Sequence, residues 1–105
     1  MAGYRFSRLA ERDLLEIGRY TLLKWGEAQA NRYLEMLEAG CERLSRNPGL
    51  GRSSESIRPA LLRMECGRHV IFYRRTASGI LISRILHRQM LPERHALGEP
   101  GSEVE

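Results

Sequence analysis

The sequence predicts a small α+β fold: an N-terminal strand, an antiparallel helix hairpin, then a three-stranded antiparallel meander, with the helices packed on one face of the sheet. Three observations predict it. Apolar residues recur every three to four positions in two blocks within residues 8–46, with one glycine between the blocks. From Asn47 onward that spacing stops, and three β-rich runs follow, separated by turn residues. A chain of 105 residues with 42% hydrophobic content is long enough to bury one core and too short for two.

Each element has a local cause. YRFS (4–7) alternates apolar and polar side chains and predicts a short strand with Tyr4 and Phe6 on one face. Ser7 ends it and caps a helix whose stripe is Ala10, Leu14, Ile17, Thr21 and Trp25. Trp25 is expected to anchor the hairpin, and Gly26 to cap the first helix and reverse the chain. A second helix is expected from about Glu27 to Arg46, with Ala30, Leu34, Leu37, Cys41 and Leu44 inward and Glu35, Glu38, Glu42 and Arg43 outward. Gly40 interrupts that stripe, and close packing against the first helix is the expected reason. Pro48 stops the helix at Asn47, since the residue before proline avoids helical geometry. After a polar loop, LLRMEC (61–66), RHVIFYRR (68–75) and GILISRIL (79–86) are the meander, broken at Gly67 and at TASG. The N-terminal strand must pair with the second or third strand of the meander, leaving the sheet's other face open for function. One domain is expected over 1–97, with a helical turn near Glu93–Leu97 and a flexible acidic tail over 98–105.

Composition narrows the function classes. No run reaches the roughly 20 apolar residues of a membrane span, and MAGYRFSRLAERD has no signal-peptide apolar region. A soluble, cytoplasmic protein is therefore expected. Cys41 and Cys66 lack metal spacing and are expected to be free, buried thiols. The net charge of +4 is uneven: residues 1–56 balance at +1, residues 57–97 carry +6, and the tail carries three Glu. Of the 17 basic residues only Lys24 is lysine. An arginine-rich positive half suits carboxylates or phosphates, so charge alone does not separate an acidic protein partner from nucleic acid. No specific nucleic-acid binding by the chain alone is expected, only weak, salt-sensitive association.

Four stretches in order carry a family resemblance: YRFSRLAERDLLEIGRYTLLKWGEAQANRYL, LSRNPGLGR, LLRMECGRHVIFYRR and GILISRILHRQM. The most specific parts are Trp25-Gly26 with Gln29 and Tyr33, Asn47-Pro48 to Gly51-Arg52, Gly67 to Arg74, and Arg84 to His87. Over residues 4–97 the chain resembles the ParE branch of the RelE/ParE superfamily of bacterial toxins. The resemblance implies the fold derived above and a toxin that poisons DNA gyrase until a ParD-type antitoxin binds it in a hetero-oligomer. The sister branch, similar to RelE, implies ribosome-dependent mRNA cleavage instead, and a non-toxic relative that only binds an antitoxin is a third reading.

The residues themselves weigh against cleavage. Phosphodiester cleavage needs a base, an acid and cations around the phosphorane. Glu65 and His87 are the acid–base pair the sheet offers. Strict alternation along 80–87 puts Ile80, Ile82, Arg84 and Leu86 on one side and Leu81, Ser83, Ile85 and His87 on the other, so Arg84 and His87 need not converge. No catalytic residues are assigned. His69, His87 and His95 have no helical metal spacing and GLGR is not a phosphate loop, so no metal or other cofactor is expected. By analogy the gyrase-contact candidates are Arg84, His87, Arg88, Gln89 and Met90. The antitoxin-contact candidates are Arg63, Arg74 and Arg75, cations that can pair with an acidic partner. Tyr33 is left as core or surface.

Overall fold

The computed structural model describes residues 3–90. Their elements run β1 (Gly3–Phe6), α1 (Arg8–Trp25), α2 (Glu27–Arg46), β2 (Arg52–Ser53), β3 (Leu62–Cys66), β4 (His69–Thr76) and β5 (Gly79–His87). The expected helical turn at 93–97, His95 and the acidic tail lie outside the described residues. A five-stranded sheet has the order β1-β5-β4-β3-β2, with β1 parallel to β5 and every other pair antiparallel. The expected α+β fold is the observed one, with the N-terminal strand beside the last strand of the meander. The two-residue β2 lies in what the sequence analysis treats as loop, because so short a pairing leaves no periodicity to read.

Local chemistry starts and stops the helices. Ser7 Oγ accepts the Ala10 N–H at 3.0 Å and donates to Ser83 O at 2.7 Å, so one hydroxyl caps α1 and ties it to β5. Gly26 has φ 93°, a backbone region that disfavours a side chain, and its N–H closes α1 onto Leu22 O at 3.0 Å. Ala10, Ile17, Leu37, Cys41 and Leu44 pack from the helices onto Ile71, Tyr73, Ile80, Ile82 and Ile85 of the sheet, which forms the main core.

Two packing expectations are corrected. Trp25 is 59% exposed, because it is the last residue of α1 and stands beyond the sheet that covers the rest of its stripe. Gly40 packs against the sheet rather than α1: a Cβ there would lie 3.0 Å from Cys66 Sγ and 3.4 Å from Ile71 Cδ1. The close approach of the two helices is instead at Gly18, where a Cβ would be 3.3 Å from Leu34 Cδ1. Cys41 and Cys66 are free and buried as expected, and burial pushes the Cys41 thiol up to about 12.

The strand alternation is also corrected. Phe72 opposes Arg84 and Tyr73 opposes Ile82, so Ser83 is an extra residue in β5. This bulge shifts the period by one. Ile80, Ile82 and Ile85 all enter the helix-side core, while Leu86 joins Leu61, Val70 and Phe72 in a smaller apolar cluster on the other face. That face is therefore partly covered by the segment 54–61 rather than fully open.

Candidate functional site

β1 pairs with β5 only as far as Ile82, so the following edge of β5 needs another partner. Asp13, one turn into α1, supplies it. Its carboxylate accepts the Ile85 N–H at 2.9 Å, Arg84 Nε at 2.8 Å and Arg84 Nη2 at 3.0 Å. The Asp13 and Arg84 side chains are 14% and 33% exposed. Donating to the Asp13 carboxylate raises the Arg84 pKa further, so this guanidinium stays charged. A carboxylate thus replaces the missing strand, and β5 ends against α1 with a cleft beside it.

That cleft, of about 730 Å³, is walled by Ile17, Tyr20 and Trp25 from the helix side and by Arg84, His87 and Met90 from the sheet side. Tyr20, Trp25 and Met90 are 61%, 59% and 61% exposed. Arg84 and His87, which alternation separates, line the same cleft because the Arg84 guanidinium is bound to Asp13 of α1 at the open edge of β5, whereas His87 faces the helix side directly. Of the five gyrase-contact candidates, Arg84, His87 and Met90 therefore come together, and Arg88 and Gln89 are exposed on the adjoining 3₁₀ turn.

A polar chain at the cleft end went unseen in the sequence. The Arg68 N–H donates to Tyr33 Oη at 2.9 Å, and Tyr33 Oη is 2.6 Å from His69 Nδ1. The Tyr33 hydroxyl thus joins the Arg68 backbone to the His69 ring through two hydrogen bonds. His69 opposes His87 across β4 and β5, with ring centroids 5.2 Å apart and edge to face. His87 Nδ1 accepts the Gln89 N–H at 3.1 Å. Burial, and secondarily the like-charged His87, lowers the His69 pKa from 6.5 to about 4, so His69 is neutral at pH 7. Tyr33 is half-buried and functions as the link. Its part was illegible because it depends on the turn at Gly67, whose φ of 63° brings Arg68 and His69 under α2.

The Glu65–His87 pair is not assembled. Glu65 opposes Val70, which opposes Leu86 on the sheet face away from the helices, whereas His87 opens into the helix-side cleft. Glu65 instead lies 3.6 Å from Arg52 at the exposed sheet edge. The antitoxin-contact candidates divide as well. Arg63 opposes Phe72 on the face away from the helices, and Arg74 lines a second groove there. Arg75 follows on the opposite face, with its Nη2 near Gly49.

The fold has known counterparts. The family model for the ParE toxin of the type II toxin–antitoxin system, parDE, matches residues 4–92. Toxin ParE1 of Caulobacter vibrioides is 38% identical over 95 residues, covering 90% of this chain and 98% of its own. Toxin ParE of Escherichia coli is 37% identical over 91 residues, covering 86% of this chain and 88% of its own. Among solved structures, the chromosomal ParDE system from P. aeruginosa aligns with a TM-score of 0.72 at 19% identity, over 83% of this chain and 96% of that one. The toxin–antitoxin complex RelBE2 from Mycobacterium tuberculosis aligns with a TM-score of 0.63 at 22% identity, over 83% and 98%. These two share the fold. With a model spanning nearly the whole described chain and relatives well above 30% identity along most of their length, this chain belongs to the ParE toxin family of type II toxin–antitoxin systems.

Proposed function

We propose that this chain inhibits DNA gyrase by protein–protein contact, has no catalytic step of its own, and is neutralised by a ParD-like antitoxin in a cytoplasmic hetero-oligomer. One toxin domain over residues 1–97 carries this activity, and the acidic residues 98–105 are a tail. Membership in the ParE family makes gyrase the first target to test. The observation that carries the non-catalytic part is the separation of Glu65 and His87 onto opposite sheet faces. A neutral His69 with a pKa near 4 is also a poor base at pH 7. What the helix-side cleft offers instead is contact area: exposed Tyr20, Trp25 and Met90 around Arg84 and His87 are the aromatic, Met and Arg mix of protein interfaces. We therefore assign the gyrase contact to this cleft and to the neighbouring Arg88 and Gln89.

The test adds the purified chain, with and without ATP, to gyrase and a plasmid. Supercoiling and linear DNA are scored after denaturing the proteins. Inhibition with accumulated linear DNA is the expected result. A folded sample that arrests growth in cells yet leaves gyrase untouched would overturn this target and turn attention to mRNA cleavage on the ribosome. A chain harmless when expressed alone would be an antitoxin-binding relative without toxicity.

A further inference from the structure

α1 is apolar on two sides. One stripe, Ala10, Leu14, Ile17 and Thr21, faces the core. At 3.6 residues per turn the opposite side carries Arg12, Leu15, Arg19, Leu22 and Leu23. Leu15, Leu22 and Leu23 are 73%, 47% and 80% exposed and stand at i, i+7 and i+8. They line neither the helix-side cleft nor the groove beside Arg74. Scattered surface leucines need no explanation, but a helix that packs on one face is ordinarily polar on the other. Three leucines on adjacent turns make a strip that nothing among the described residues covers.

The charges in this strip are ordered so that it fits itself. Glu11, Leu15, Arg19 and Leu23 follow one another at four-residue steps and form a single ridge. Glu11 and Arg19 are exposed and make no ion pair among the described residues. When two such ridges meet antiparallel about a two-fold axis at Leu15, Glu11 of each copy reaches Arg19 of the other, and the two Leu15 side chains pack on the axis. Leu22 then lies level with Arg8 of the other copy, whose aliphatic stem covers it. A parallel pair would set Glu11 against Glu11 and Arg19 against Arg19. Moving the antiparallel axis one step along the ridge would bring the two Arg19 side chains face to face. Charge therefore selects the antiparallel register at Leu15.

We infer that the outward face of α1 docks a second copy of this chain, in an antiparallel α1–α1 contact centred on Leu15 and closed by two reciprocal Glu11–Arg19 ion pairs. The contact joins one helix from each copy, so it belongs to the class that buries less than about 1,200 Å² and forms transiently, with a Kd expected at about 10–100 µM. Glu11, Leu15 and Arg19 line neither cleft, so the inference stands apart from the gyrase reading. An anionic lipid surface is the rival partner for leucines set among arginines, and the carboxylate of Glu11 within the ridge opposes it.

The experiment is sedimentation equilibrium of the full chain from about 5 to about 500 µM, a range that brackets the expected Kd. Five proteins are compared: wild type, E11R, R19E, E11R/R19E and W25A, with circular dichroism melting to show that each is folded. E11R and R19E should each weaken dimerisation at least about tenfold, because two attractive pairs become repulsive, and E11R/R19E should restore it to within about threefold of wild type. W25A, altered in the helix-side cleft, should dimerise like wild type. A dimer unchanged in E11R and R19E, or one that the double variant does not recover, overturns the inference. So does a dimer that only W25A loses, which would move the contact to the helix-side cleft. Wild type that stays monomeric throughout also overturns it, and pelleting of that monomer with phosphatidylglycerol vesicles would give the strip to a lipid surface instead.

Discussion

Replacing Asp13 tests whether a carboxylate really stands in for a strand at the edge of β5. Three hydrogen bonds end on that one group, two from Arg84 and one from the Ile85 N–H. Asp13→Ala removes them all. Arg84 is one-third exposed, so its lost pairing is worth less than the cost of a fully buried ion and comes to about 1–2 kcal/mol. Ile85 is 2% exposed, and an unpartnered buried N–H there adds about 1–2 kcal/mol. The sum, about 2–4 kcal/mol, lowers the melting temperature by at least about 10 °C for a domain of this size. Asp13→Asn keeps an oxygen for Ile85 but loses the charge, so it should cost about half as much. Urea unfolding of Asp13→Ala, Asp13→Asn, Arg84→Ala and the Asp13→Ala/Arg84→Ala double variant measures each part, and the cycle should give a coupling of about 1–2 kcal/mol. A loss under about 0.5 kcal/mol for Asp13→Ala, or equal losses for Ala and Asn, would refute this account of the edge.

Other consequences are as direct. His69 has its folded-state pKa depressed to about 4, so its neutral form is the native one. The stability it contributes is complete above its unfolded value of about 6.5 and is lost as pH falls from there toward 4. An NMR titration of the His69 ring should therefore find a midpoint well below 6.5, and a midpoint at or above 6.5 would show that the ring is not enclosed under Tyr33 and His87. Tyr73, fully buried, donates to Pro48 O at 2.6 Å and accepts the Gly51 N–H at 2.9 Å. Tyr73→Phe should cost about 2–3 kcal/mol in urea unfolding with the far-ultraviolet spectrum unchanged, since both loop groups lose their partner. A cost near zero would mean that water replaces the hydroxyl.

Elements held by their own sequence were the ones legible in advance. Ser7 as cap, Gly26 as stop and reversal, Pro48 as helix end and the TASG turn act within a few residues, and each stands where periodicity placed it. The helix stripes named the core correctly through Ala10, Ile17, Leu37, Cys41 and Leu44. The misplaced residues all depended on something distant. Trp25 follows the stripe but outruns the sheet, and Gly40 makes room for Cys66 and Ile71, not for the neighbouring helix. The candidate site was half visible: Arg84, His87 and Met90 were singled out from the end of β5, while Asp13, Tyr33 and His69 were not.

The amino-acid sequence by itself determined which segments are helix and strand, where the chain turns, which faces are apolar and which half is positive. Those properties follow from backbone preference and from side-chain order along the chain, and they need no partner. Only the tertiary structure decided that β1 lies parallel to β5, that it stops at Ile82, and that Asp13 takes over at Ile85. It alone decided that an extra residue at Ser83 turns Ile85 and His87 to the helix side, that Arg84 joins that cleft through Asp13, and that His69 stands across from His87. Register and bulges are chosen by the best total packing and hydrogen bonding of strands far apart in sequence, so no local pattern encodes them.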